Sequence, residues 1–197
     1  MNSGNIIEFG NYPQDSDGDP SPIRWMVLDV DESYLFLLSL WGLEGSGYHS
    51  YDCNVNWSNC DLRHWLNDDF YKCAFTKSEQ KRILVSTLDN SGSAIYGTQG
   101  DNPTEDRLFL LSVNEVESFL PNKRVRFCEA TPYAQLQGAD MYLSGEKLYD
   151  RFYAWWWLRL TSTYGSGCYM YSSGEVYCDF AVNCPGGTVR PALRLQI

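Results

Sequence analysis

Apolar side chains in the first forty residues come in short runs separated by turn chemistry. Ile6-Ile7-Glu8-Phe9 leads into Asn11-Tyr12-Pro13, and two longer runs, Arg24–Val30 and Tyr34–Ser39, flank Asp31-Glu32-Ser33. Runs of this length bounded by turn residues predict strands, and the last two predict a hairpin. Past Gly42 to Gly47 the period changes. Leu62, Trp65 and Leu66 fall on one helical face behind Ser58-x-x-Asp61, which reads as a capping box. Thr76-x-x-Glu79 opens a second helix that runs through Ile83 and Leu84. Ser112-x-x-Glu115 opens a third, with Val116, Phe119 and Leu120 inward and Pro121 as its stop. Thr131-Pro132 supplies an N-cap and a first-turn proline, and Gly138 ends that helix. Leu108–Leu111 returns as a strand. The chain then closes in β structure: Trp155–Leu160, Cys168–Tyr171 and Glu175–Tyr177 around Ser172-Ser173-Gly174, and Val189–Leu195. Strands at both ends around central helices predict one α+β domain over residues 1–197, with the terminal strands paired and short helices packed around a small antiparallel sheet. Trp25, Leu28, Leu62, Trp65, Leu66, Trp157, Val189 and Leu193 are its expected core.

Two polar stretches interrupt the pattern. Asp89 to Asp106 is long for a loop in a compact domain, which marks it as functional or mobile. Asp15 to Pro20 looks like a calcium loop at first sight. Such a loop needs Gly at its sixth position and Glu at its twelfth, where this chain has Pro20 and Met26, so a solvated turn is the reading.

Composition narrows the function classes. The chain is 44% hydrophobic with seven Trp and 14 Tyr, enough apolar surface for a core without staples. Its net charge is -10. The densest basic cluster, Lys123-Arg124-Val125-Arg126, falls short of the stripe that nucleic acid or an anionic membrane needs. No apolar run reaches the ~20 residues of a membrane span. The start Met1-Asn2-Ser3-Gly4 has neither a basic nor an apolar leader region, so synthesis in a cytoplasm is expected. The seven cysteines include no C-x-x-C pair, and only His49 and His64 offer imidazole. That spacing supports no metal centre, and free thiols in a reducing compartment are expected. Cys168, Cys178 and Cys184 can pair under oxidation. His64 has no evident partner as a base and reads as structural.

The segment 160–188 carries the candidate chemistry. Trp155-Trp156-Trp157-Leu158-Arg159 precedes it and Val189-Arg190-Pro191-Ala192-Leu193 follows it. Between these anchors the chain is rich in Thr, Ser, Tyr, Gly, Cys, Asp and Asn. Antibody loops use such chemistry: Tyr gives wide amphipathic contact, and Ser, Gly and Asn give adaptable hydrogen bonds. Side chains alternate faces along a strand. With Met170 and Val176 inward, Cys168 shares their side, while Tyr169 and Tyr171 point outward and Tyr177 and Asp179 join them. Tyr164, Ser166, Phe180 and Asn183 lie in adjoining loops. The eight residues Tyr164, Ser166, Tyr169, Tyr171, Tyr177, Asp179, Phe180 and Asn183 are therefore expected to form one exposed ligand-binding patch. A flat patch of this kind suits a protein or cell-surface ligand better than a small molecule.

Five ordered motifs carry a resemblance. Phe9-Gly10-Asn11-Tyr12-Pro13-Gln14, Pro22–Asp29, Leu62–Asn67 with Phe70-Tyr71 and Ala74-Phe75, Trp156–Arg159, and Val189–Leu193 resemble the bacterial and phage family designated domain of unknown function DUF6273. The resemblance spans nearly the whole chain. It implies a C-type lectin fold of the formylglycine-generating-enzyme subtype. It also implies kinship with variable proteins of diversity-generating retroelements, in which a mutagenic reverse transcriptase randomises adenines in a C-terminal repeat. Randomised Asn codons reach the residue types that dominate 160–188 but not Met or Glu, so Met170 and Glu175 would be scaffold positions. The expected function is a non-catalytic, calcium-independent ligand-binding protein with no cofactor, displayed on a virion or cell surface. The alternatives are a non-diversified adhesion or scaffold domain and, third, an oxidase-like enzyme. Cys168, Cys178 and Cys184 do not reproduce that enzyme's copper pair, and the Glu-Pro-Asn, Gln-Pro-Asp and Trp-Asn-Asp motifs of calcium-dependent sugar lectins are missing.

Overall fold

Strand pairing follows the apolar runs. A computed structural model describes residues 2–98, 100–145, 151–162 and 166–197. The chain opens with β1 (Ile6–Pro13), β2 (Pro20–Val30), β3 (Tyr34–Ser39) and the short β4 (Glu44–Gly45). A helical passage follows: α1 (Asp61–Trp65) continues through a π-helical turn (Leu66–Phe70) into α2 (Tyr71–Ala74), and then comes α3 (Lys77–Gln80). β5 (Ser86–Leu88), β6 (Thr104–Asp106) and β7 (Leu108–Phe109) precede α4 (Val113–Phe119), α5 (Lys123–Arg126) and α6 (Pro132–Leu136). The chain ends in β8 (Met141–Leu143), β9 (Phe152–Ala154), β10 (Trp156–Thr161), β11 (Gly167–Met170), β12 (Val176–Phe180), β13 (Thr188–Val189) and β14 (Ala192–Gln196).

The architecture of the described residues is α+β, with two five-stranded sheets and two small two-stranded ones. The first sheet runs β1-β2-β3-β14-β7 and is antiparallel throughout; the second runs β12-β11-β10-β13-β4, with β10 and β13 parallel. The terminal strands share the first sheet, but β2 and β3 stand between them, so they are not paired as expected. The reason lies in β3, whose five buried residues Leu35 to Ser39 take the hairpin partner β2 on one edge and the whole of β14 on the other.

The run Val189–Leu195 is not one strand. β13 belongs to the second sheet and β14 to the first, and Arg190-Pro191 carries the chain across. Proline lacks the N–H that a continuous ladder requires, which fits a strand break there. Both residues are buried, and the Arg190 guanidinium lies 5.0 Å from the Trp156 ring centroid and donates to the Ser39 carbonyl at 3.0 Å.

One large apolar cluster joins both sheets and the helices, beside a small one of Ala130, Ala134, Ala139 and Ala154. Seven of the eight expected core residues are buried in the large cluster; Trp65 is only half-buried. The capping boxes at Thr76 and Ser112 and the Thr131 cap form as expected. Ser58 does not cap α1. It sits in a 3-10 turn, and the Cys60 sulfur accepts from the Arg63 N–H instead. The α3 helix stops at Gln80, because Ile83 bridges to Leu195 at the sheet. Among the described residues no helix is long and apolar enough to cross a membrane.

Candidate functional site

The β11–β12 hairpin presents one aromatic face. Tyr169 pairs with Tyr177 and Gly167 pairs with Phe180, with a one-residue bulge between the two pairs. Residues paired across strands share a face, so the bulge brings Phe180 to the side that carries Tyr169 and Tyr177. β10 adds Trp157, which pairs with Tyr169. The rings touch in sequence. Trp157 lies 4.8 Å from Trp155, Trp155 lies 4.7 Å from Phe180 and 5.3 Å from Tyr169, and Tyr169 stacks at 5.8 Å on Tyr177. Tyr171 meets Tyr177 edge-on at 6.0 Å, and Tyr142 of β8 meets Tyr171 at 5.9 Å. Exposure grows along this ridge, from buried Trp157 and Trp155, through half-buried Phe180 and Tyr171, to Tyr177 at 40% and Tyr142 at 41%.

Polar groups fix the ridge. Tyr169 donates to Asp179 Oδ1 at 3.1 Å, and Tyr177 donates to Glu175 Oε2 at 3.0 Å. Lys123 binds Glu175 at 2.6 Å. The Lys123 contact and the Tyr177 hydroxyl hold the Glu175 carboxyl below the usual carboxylate range. Burial, then the nearby Asp179 charge, pushes the Tyr169 hydroxyl well up, so it stays a donor. At the tip, the Arg126 guanidinium donates to the Gly174 carbonyl, and Gly174 adopts φ +77°, which glycine takes without strain.

The expected patch is therefore met unevenly. Tyr171 and Tyr177 share a face and reach solvent, and Asp179 is exposed beside them. Tyr169 points to the same face but is buried, which corrects its expected exposure: Trp155, Phe180 and Tyr177 close over its ring. Phe180 is half-buried as a brace between Trp155 and Tyr169. Ser166 lies at the far end of β11, where its carbonyl accepts from the Ser162 N–H at 2.7 Å. Tyr164 lies outside the described residues. Tyr142, which the sequence reading missed, extends the ridge; its one available signal is the short run Met141-Tyr142-Leu143.

These residues are the part of the chain where a family description matters. A model for a domain of unknown function, DUF6273, matches residues 32–197. The chain belongs to the DUF6273 family. No curated protein and no solved structure matches it. The match takes in three of the five motifs, those in the helical passage, at Trp156–Arg159 and at Val189–Leu193.

In this DUF6273 chain a disulfide, Cys168–Cys178, joins β11 to β12 on the face opposite the ridge. The expectation of free thiols at these two positions is thus corrected: the antiparallel pairing brings the cysteines face to face. Cys53, Cys60, Cys73, Cys128 and Cys184 are free, and burial pushes the Cys60 thiol up to about 12. Closing a loop of this size stabilises a fold by about 2–3 kcal/mol in the chain-entropy account. Reduction with dithiothreitol should lower the urea unfolding free energy by that amount, and a Cys168→Ser/Cys178→Ser variant should show no further change on reduction. Equal stability with and without reductant would mean that the hairpin needs no staple.

Asn183 leaves the ridge. It lines a depression of about 310 Å³ together with Ser46, His49, Ser50, Asp61, Trp65 and Pro185. The Ser50 N–H donates to Asp61 Oδ2 at 2.8 Å, and the Asp61 N–H donates to His49 Nδ1 at 3.3 Å. Asp61 Oδ2 also lies 3.0 Å from that nitrogen. Hydrogen bonding from Ser50 holds the Asp61 carboxyl below its usual range. A folded-state value below the unfolded one, about 3.9, means that this carboxylate stabilises the fold above that pH and ceases to as pH falls through its folded value. Carbon-13 titration should place the Asp61 midpoint below that of an unstructured Asp, and a midpoint at or above it would remove the Ser50 contact from solution. His64 is exposed on the helix surface.

Proposed function

We propose that this chain is a non-catalytic ligand-binding protein whose contact surface is the β11–β12 hairpin, extended by Tyr142. The observation that carries the reading is the graded aromatic ridge, rooted on buried Trp157 and Trp155 and ending in exposed Tyr177. Buried rings fix the geometry, and exposed Tyr and Asp supply contact, which is how rigid anchors and adaptable polar groups divide the work in a paratope. The partner is a protein or cell-surface molecule, since the ridge is a continuous run of touching rings that suits a broad contact. The scaffold is read as a C-type lectin fold: one sheet gathers both chain ends, and a second sheet carries the display segment. On that reading residues 160–188 are a retroelement-diversified segment that binds without calcium.

The cystine favours the runner-up, a non-diversified adhesion or scaffold domain of the same fold. A disulfide needs two fixed cysteines, and buried Tyr169 adds a third constrained position within the segment. Flanking DNA separates the two readings. Diversification requires a near-identical template repeat that differs only at adenines, beside a reverse transcriptase gene; without that repeat the non-diversified domain stands. Under either reading, Tyr177→Ala should weaken partner binding by about 1–3 kcal/mol. Its stability should fall by no more than about 1 kcal/mol, because the ring is partly exposed and sits at the outer end of the ridge. Calorimetry with a partner captured by the wild-type chain checks both. Undiminished affinity in a Tyr171→Ala/Tyr177→Ala variant would take the hairpin out of the site.

A further inference from the structure

We propose that the corner between α2 and α3 binds a phosphate or sulfate group. Lys77, Lys81 and Arg107 converge there on one depression of about 400 Å³, whose other walls are Tyr71 and Gln80. Among the described residues no carboxylate lines it. Among the described residues none of the three cations takes part in an ion pair; the ion pairs of Arg63, Lys72, Lys123 and Arg159 lie elsewhere. In a chain of net charge -10, three unneutralised cations around one opening form a local field opposite in sign to that of the whole.

The floor of this depression is built, so the cations are not merely solvated lysines. Gln80 is buried, and its amide donates to the carbonyls of Phe75 at 2.9 Å and Tyr71 at 3.2 Å. The Gln80 side-chain oxygen accepts from Lys77 Nζ at 3.2 Å, which holds that lysine over the opening. The Tyr71 hydroxyl donates to the Gln80 backbone carbonyl at 2.9 Å. Arg107 is half-buried and, among the described residues, its guanidinium is anchored at one end: Nη1 donates to the Ile83 carbonyl at 2.6 Å, and the guanidinium lies 5.5 Å from the Tyr71 ring centroid. The rest of its planar fork remains available, and a fork of N–H donors matches an oxyanion edge. Two ammonium groups beside it favour a doubly charged group over a single carboxylate. The site lies on elements packed against β1 of the first sheet, away from the hairpin ridge, and stands independently of the binding function proposed above.

Nitrogen-15 NMR of the full chain tests this by titration with inorganic phosphate, with sodium chloride holding ionic strength constant. Saturable shifts at Lys77, Gln80, Lys81 and Arg107 are expected, with the hairpin resonances unmoved. The Lys77→Ala/Lys81→Ala variant removes two exposed side chains and should keep its fold, yet bind phosphate about tenfold more weakly. Arg107→Lys keeps the charge but loses the fork, and should also weaken binding. Shifts that fail to saturate, or an unchanged affinity in the double variant, overturn the site. O-phosphoserine and a sulfated disaccharide then identify the source of the group. Tighter binding of either one than of inorganic phosphate supports an ester ligand, and binding of neither overturns it.

Discussion

Replacing Arg159 with Met should lower the unfolding free energy by about 3–5 kcal/mol, the range for breaking a buried charge network by removing one partner. Arg159 is buried, and its guanidinium donates along all three of its nitrogens. Nε reaches Asn90 Oδ1 at 2.9 Å, Nη2 the Asp89 carbonyl at 3.1 Å, and Nη1 both the Leu110 carbonyl at 2.7 Å and Glu115 Oε2 at 2.9 Å. Met fills much of the volume but takes the guanidinium donors away from all four acceptors. Glu115 also accepts from the Ser112 N–H, so the α4 cap loosens with it. Asn90 is fully buried and holds the long polar loop through the Asn102 carbonyl and Thr104. Urea denaturation measures the loss, and faster amide exchange at Asp101, which donates to the Asn90 carbonyl, locates it. A loss below about 1 kcal/mol would show that water replaces the guanidinium at little cost. Lys should not rescue, because one ammonium cannot span four acceptors.

That network shows what the sequence could and could not reveal. The strands β2 and β3 were legible because apolar runs bounded by turn residues have few other folds to take. The caps at Thr76, Ser112 and Thr131 were legible because a side chain and an N–H three residues on make a local bond. Arg159 was visible only as part of a Trp-Trp-Leu-Arg motif. Its partners lie 44 to 70 positions away in sequence, and nothing local encodes them. The same holds at the candidate site. Alternation placed Tyr169, Tyr171 and Tyr177 on one face, but burial of Tyr169 depends on Trp155 and on a bulge that local alternation does not reveal. Ser58 failed as a cap because Cys60, a weaker acceptor, held the position where the helix begins. Tyr142 and the groove around Asn183 are products of tertiary packing, where β8 and α1 come beside the display segment.

Trp157→Ala should also destabilise by about 3–5 kcal/mol, the range for a large aromatic lost from a core, and it should damage binding by a route that Tyr177→Ala does not use. The Trp157 ring is fully buried, its indole N–H donates to the Ser46 carbonyl at 2.8 Å, and Tyr48 meets it edge-on at 5.7 Å. Two glycines press on it. A Cβ at Gly187 would lie 1.9 Å from its Nε1, and one at Gly167 would lie 2.5 Å from its Cζ3. Those close approaches leave no side chain able to fill the cavity once the ring is gone. Trp155 and Phe180, which lean on Trp157, lose their backing, and the exposed end of the ridge loses its fixed geometry. The Trp157→Ala chain should therefore unfold at lower urea. Under conditions where it stays folded, it should bind partner more weakly with every exposed contact residue still present. Gly187→Ala, which adds one methyl group against the same ring, should reproduce the binding defect at a cost of about 1–3 kcal/mol from overpacking. Calorimetry on both variants, at a temperature where circular dichroism shows them folded, separates the two effects. Full wild-type affinity in folded Trp157→Ala would show that the buried rings serve stability alone.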